Sequence, residues 1–186
     1  MAELDRRRLL LVAPFGVAVL AGAGFWTVLK RMKAGRFDPH DVPSQLIGKQ
    51  APDFSLPGLA DRQGFAAADL VTSKRPVLVN FFASWCVPCI IEAPELMALS
   101  REGLPIWGIA YKDTPTAAGA FLARHGDPYA RIAEDKPGRV AIDWGVYGVP
   151  DSYLLDSTGV VRWRMAGPIT PEIANEQLRP LLKSLT

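Results

Sequence analysis

Val77-Leu78-Val79-Asn80-Phe81-Phe82-Ala83-Ser84-Trp85-Cys86-Val87-Pro88-Cys89 begins as a strand and ends as a helix. Its first six residues are β-rich and almost continuously apolar. A run of that kind reads as a central strand buried on both faces, and such a strand needs helices on both sides of its sheet. A helix follows from about Val87 to Arg101, with Ile90, Ile91, Leu96, Met97 and Leu99 as its apolar residues. Pro94 predicts a kink and Gly103 a stop. Where strand meets helix lie the only two cysteines of the 186-residue chain, separated by two residues. Cys86 falls at the helix N-terminus, where unpaired N–H groups and the positive dipole end stabilise a thiolate and lower its pKa from about 8.5. Cys89, one turn on, can close a short disulfide with it or resolve a mixed disulfide with another protein. Such chemistry requires a sulfur that is not sealed from solvent. Pro88 suits the first turn, where its missing N–H costs nothing. Two blander readings compete. A zinc half-site would need His40 and His125, which lack paired-ligand spacing. A purely structural disulfide across a two-residue loop would remove little chain entropy.

Outward from this segment, residues 104–111 read as a second buried strand and Pro115–His125 as a second helix. Residues 152–156 and 160–165 read as two more strands, joined by a hairpin turn at Asp156-Ser157-Thr158-Gly159. A last helix fits residues 171–185, with Pro180 expected to bend it or split off its final turn. The order β-α-β-α-β-β-α predicts a small α/β sandwich with a mixed sheet. Trp107, Trp144 and Trp163 read as core or sheet residues.

The N-terminus is of another kind. Residues 9–29 (LLLVAPFGVAVLAGAGFWTVL) carry no charge and as a helix would extend about 31 Å, enough for one crossing of a bilayer core. Ala21-Gly22-Ala23 offers a signal-peptide cleavage pattern, but the apolar run continues past it and Lys30, Arg31 and Lys33 follow, so an uncleaved anchor is expected. Residues 1–8 are then a cytoplasmic tail, residues 30–47 a linker rich in Pro, Gly and Asp, and residues 48–186 the globular domain. The chain has 21 Lys/Arg and 19 Asp/Glu, of which residues 1–36 hold seven and two. The folded part is therefore net acidic, which argues against nucleic-acid binding. The thiol chemistry calls for no metal or other cofactor.

Residues 79–89 resemble the active-site segment of thioredoxin-fold proteins. Residues 106–113 (IWGIAYKD) and 143–156 (DWGVYGVPDSYLLD) are similar to the membrane-anchored cytochrome c biogenesis thiol:disulfide interchange proteins of the CcmG/DsbE type, with likeness over roughly residues 9–185. The resemblance implies a single-pass protein of the bacterial inner membrane with a thioredoxin-like domain in the periplasm. It implies a Cys86–Cys89 redox disulfide kept reduced by a membrane donor of the DsbD or CcdA kind. The electrons would reduce the heme-binding cysteines of apocytochrome c, directly or through a partner thiol protein. A cis Pro150 is implied, with Val149 offering hydrogen bonds to an extended substrate peptide. Trp85 and Tyr147 would line the substrate groove. Glu92 would be an acid near the cysteines that tunes the thiolate or relays a proton to or from Cys89, against the alternative of a solvated helix charge. Thioredoxins usually place a buried acid where this chain has Asn80, which cannot titrate; another group must then handle the proton. Asp151 stands where the family more often has Glu, and Ile90 where it has a polar or basic residue. A general thiol oxidant of the DsbA kind and a non-enzymatic apocytochrome holdase are the alternatives.

Overall fold

The computed structural model describes residues 44–185 and, before them, residues 16, 22 and 24–27, which are helical. Most of the anchor expected at residues 9–29, the tail 1–8 and nearly all of the linker lie outside the described residues. Among those described, no helix is long and apolar enough to cross a membrane.

The domain is built on a five-stranded mixed sheet in the order β5-β4-β3-β6-β7, where β3 is Val77–Phe82, β4 Ile106–Tyr111, β5 Arg131–Asp135, β6 Asp151–Leu155 and β7 Val161–Ala166. β3 runs parallel to β4 and β4 to β5, while β6 is antiparallel to β3 and β7 to β6. As the sequence predicts, β3 is central and every one of its residues is buried. Its alternation divides the core. Leu78 and Phe82 join Leu154, Ile106 and Ala110 on one face, under α2 (Val87–Arg101), α3 (Pro115–His125) and the C-terminal helix. Val77, Val79 and Phe81 join Trp107, Trp144 and Tyr153 on the other, under α1 (Ala67–Thr72) and α4 (Arg139–Asp143).

Local chemistry explains where the helices start and stop. Thr114 caps α3 by accepting from the Ala117 N–H at 3.2 Å, with Pro115 in the first turn. Gly103, at φ 94°, ends α2; its N–H donates to Ser100 and that of Leu104 to Leu99. This pair of bonds closes the helix through a left-handed residue that glycine adopts at least cost. α2 runs unbroken through Pro94. The C-terminal helix α5 starts as Pro171–Ile173, widens into a π turn at Ala174–Leu178 and finishes as Arg179–Leu185. Pro180 therefore does not split it. The turn before the proline widens, and the Arg179 N–H bonds back to Ala174.

Five elements go beyond the predicted order: the β1–β2 pair (Ser55–Leu56 and Phe65–Ala66), α1, the edge strand β5 and the short helix α4. The chain enters the domain along β7, where Gly48 donates to Val161 and Ala51 to Gly159. The hairpin at 156–160 lies at the opposite end of the sheet from the point where β3 runs into the cysteine segment.

Candidate functional site

The site forms where the C-terminal end of β3 meets the N-terminal end of β6. Ser84 is fastened to the loop after β4: its N–H donates to Asp113 Oδ2 at 2.5 Å and its hydroxyl to Oδ1 at 2.9 Å. The same carboxylate accepts the Thr114 N–H at 2.7 Å. The turn that presents the cysteines is thereby fixed to the neighbouring strand. Cys86 is the N-cap of α2 and is disulfide-bonded to Cys89, and its sulfur accepts the Cys89 N–H at 3.1 Å. That bond and the helix dipole both favour negative charge on Cys86 once the disulfide is opened. Pro88 occupies the first turn as expected.

The Val149–Pro150 peptide is cis, as the resemblance implied. The Val149 carbonyl oxygen lies 3.3 Å from Cys86 Sγ, where a reduced thiol would donate to it. Both cysteines are only 3% exposed in the disulfide state. The disulfide is thus more covered than the sequence reading of an open sulfur expects, because the helix start packs against the core, while the chain neighbours Trp85 (56%) and Val87 (68%) are exposed.

Glu92 is no solvated helix charge. It is 1% exposed and sits on the buried stripe of α2 with Cys89, Ala93, Leu96 and Leu99. Oε1 accepts from Asn80 Nδ2 at 2.9 Å and Oε2 from the Ile169 N–H at 3.1 Å. Burial pushes its carboxyl up to about 7, with Asp151's charge adding to the rise and the two hydrogen bonds opposing it. Asn80, which cannot titrate, is thus a direct partner of the acid that does. Its Nδ2 also donates to Ser152 Oγ at 2.9 Å, and its Oδ1 accepts from the Tyr129 hydroxyl at 2.6 Å.

Asp151, next to the cis-proline, is equally buried but held by a cation. Arg164 on β7 donates to it from Nη2 at 2.6 Å and Nε at 3.0 Å, and also to the Gly145 carbonyl. Burial still lifts Asp151 to about 6, against the pull of Arg164.

The aromatic residues divide. Trp85 leans toward Tyr111 with ring centres 6.3 Å apart, its Nε1 donating to the Lys112 carbonyl at 3.4 Å. Tyr147 is 77% exposed in the loop before Pro150, with the Arg164 guanidinium 6.0 Å from its ring centre. Trp107 and Trp144 are core residues, as expected, and Trp163 is a half-buried sheet residue bonded to Gln177. Ile90 and Ile91 are exposed beside the site rather than packed inward. Among the described residues, no group of three or more His, Cys, Asp or Glu side chains is placed to hold a metal ion.

Sequence reasoning missed Arg164, Tyr129 and Asp113 as parts of the site. Arg164 had a visible signal, an arginine one residue beyond Trp163 in a strand paired with the strand that begins at Asp151.

Residues 47–164 match the AhpC/TSA family. The thiol:disulfide interchange protein HelX of Rhodobacter capsulatus is 40% identical over 166 residues, covering 89% of this chain and 90% of the relative. The thiol:disulfide interchange protein DsbE of Escherichia coli K12 is 36% identical over 176 residues, covering 95% and 94%. Among solved structures, a thiol-disulfide oxidoreductase from Bacteroides fragilis superposes with a TM-score of 0.60 at 26% identity, covering 72% of this chain and 99% of that one.

Proposed function

The chain belongs to the AhpC/TSA family of thioredoxin-like proteins, beside the DsbE and HelX thiol:disulfide interchange proteins, and from that premise we propose that it is a dithiol reductase of cytochrome c maturation. Thiol:disulfide exchange at Cys86–Cys89 is the reaction. The observation that carries the reading is the convergence of an N-capping Cys86, the Val149 carbonyl before cis Pro150, and a buried Glu92 one turn beyond Cys89.

In the reduced protein the Cys86 thiolate attacks a client disulfide. One client sulfur leaves as a thiolate and a mixed disulfide forms. Glu92, as carboxylate, takes the Cys89 proton; the new thiolate attacks Cys86 Sγ and expels the second client sulfur. Two electrons pass to the client, its sulfurs are protonated, and the Cys86–Cys89 disulfide remains for a dithiol donor to reduce. An extended client strand would bond the Val149 backbone, with Trp85 and Tyr147 flanking it.

The clients are the heme-binding cysteines of apocytochrome c or a thiol protein that serves them, and the donor is a membrane protein of the DsbD or CcdA kind. Residues 9–29 anchor the chain in the bacterial inner membrane with the domain in the periplasm. There an oxidising compartment makes a dedicated reductant necessary. Support for this arrangement comes from the uncharged run itself and from relatives that match over nearly their full length, N-terminal region included.

The full chain in detergent should reduce a CxxCH peptide disulfide, and Cys86→Ser should abolish that activity. The equilibrium of the Cys86–Cys89 pair against a glutathione buffer tests the direction of flow. A pair that stays reduced even in strongly oxidising buffer would make the protein an oxidant instead. Full support of cytochrome c maturation by Cys86→Ser would make it a holdase.

A further inference from the structure

Tyr129 takes no part in the chemistry above, yet it ends the hydrogen-bond chain that reaches Glu92. It lies in the segment between α3 and β5, buried, with its ring stacked on Phe82 at 4.8 Å and 24° between planes. Beside it on β4 is Gly108, where a Cβ would come within 3.0 Å of both rings. The ring thus fills a slot that a glycine leaves open, and the slot delivers the phenol oxygen to Asn80.

An amide side chain has an acceptor end and a donor end of nearly equal shape. Nothing in Asn80 itself decides which end meets the carboxylate. The phenol decides, because its hydroxyl donates to Asn80 Oδ1 at 2.6 Å and makes no other hydrogen bond among the described residues. With Oδ1 so engaged, Nδ2 must turn to Glu92 Oε1 and Ser152 Oγ. Reversing the amide would leave the phenol proton without an acceptor, a cost a buried group does not bear lightly.

We propose that Tyr129 is a positioning residue for proton transfer at the cysteine pair: its hydroxyl locks the Asn80 amide donor-first onto Glu92 and so tunes how readily that carboxyl takes up and releases a proton. The proposal rests on the reading of Glu92 as the proton carrier. The groups that bear on Glu92 are few. Asn80 on β3 and the Ile169 N–H before α5 favour its charged form, and Asp151 on β6, paired with Arg164, opposes it. The two cysteines lie within two turns on its own helix, and Asp127 acts on Tyr129 rather than on Glu92. Removing the phenol oxygen frees Asn80 to present its carbonyl to Glu92, which favours the protonated acid.

The test is the titration of Glu92 followed by carboxyl ¹³C NMR in the full-length oxidised protein in detergent micelles, with Glu92→Gln assigning the resonance. Tyr129→Phe is expected to raise the midpoint by about one pH unit, the size that one hydrogen bond to a charged group supports. An unmoved midpoint in folded Tyr129→Phe would overturn the proposal. Should that variant not fold, 3-fluorotyrosine at position 129, a stronger donor of the same shape, is expected to lower the midpoint; no change there would overturn the proposal equally. The pH profile of client reduction in Glu92→Gln tests the underlying reading separately. A profile identical to the native one would remove Glu92 from the reaction, while the NMR midpoint would still decide whether Tyr129 sets its protonation.

Discussion

Glu92 and Asp151 are two carboxyls buried within one site, and they are held in opposite ways. Glu92 meets neutral donors only, the Asn80 amide and the Ile169 N–H. Asp151 meets a guanidinium through two hydrogen bonds. The difference decides what each can do. Glu92 can gain or lose a proton without stranding a charged partner, and burial places its pKa at about 7, where both forms are populated near neutral pH. Protonating Asp151 would weaken its ion pair with Arg164, itself 8% exposed, a cost that Glu92's neutral partners do not impose. A neutral shell lets the Glu92 pKa rise to about 7, and a cationic shell holds Asp151 lower, at about 6, charged over more of the neutral range.

The comparison breaks most visibly at Arg164. Arg164→Met strands Asp151 without its cation, and breaking a buried pair in this way costs about 3–5 kcal/mol, which urea unfolding at pH 7 should register. Loss of less than about 1 kcal/mol would mean that the pair is no fixed element and that the contrast with Glu92 is false.

The next effect belongs to Glu92 and has a defined sign. Its folded pKa, about 7, lies above its ordinary value of 4.5. The protonated form is therefore the one the fold prefers, and stability falls as pH rises from about 4.5 through about 7. The native protein should lose about 2–3 kcal/mol over that window through this group. Glu92→Gln should flatten the slope. It should also be less stable than the native protein near pH 5, because the glutamine NH₂ meets one of two N–H donors that now find only one acceptor. Equal slopes in urea unfolding at pH 5, 6, 7 and 8 would show that Glu92 keeps one protonation state throughout.

How much of this was legible beforehand follows the same physics. The central strand and the helices α2 and α3 were readable to the residue. Continuous burial gives β3 a pure apolar run, and a proline in the first turn with a following cap or glycine marks each helix. The edge strand β5 was not readable. In Arg-Ile-Ala-Glu-Asp only Ile132, Ala133 and Asp135 are buried, and charges flank them, so neither period stands out. The two-residue strands β1 and β2 are too short to carry a period at all. In the site, the cysteines announce themselves because their chemistry depends on local spacing, whereas the cis-proline was legible only through the family resemblance of residues 143–156. The burial of Glu92 does not, because α2 carries apolar residues on both faces: Leu96 and Leu99 inward, Ile90 and Ile91 outward. With no clean stripe, a glutamate on the inner face looks like one on the outer. Arg164 reaches the site only through the sheet register, and Tyr129 only from the segment that leads into β5, so both meet residues far away in the chain.

The smallest effect sharpens the comparison at the sulfur itself. In the reduced protein, Cys86 keeps the N-cap position and the Cys89 N–H, so its alkylation by iodoacetamide should titrate well below the ordinary thiol value of about 8.5. Two buried carboxyls oppose this when ionised, Asp151 with its pKa lifted to about 6 and Glu92 with its own at about 7. Removing the negative charge of Glu92 should favour the thiolate. Glu92→Gln should therefore move the alkylation midpoint down by a fraction of a unit, in keeping with a charge on a neighbouring turn rather than in contact. Asp151→Asn should move it less, because the charge it removes is already balanced by Arg164. If the two substitutions shift the midpoint equally, the guanidinium does not screen Asp151 from the sulfur, and the two carboxyls are electrostatically alike despite their different partners.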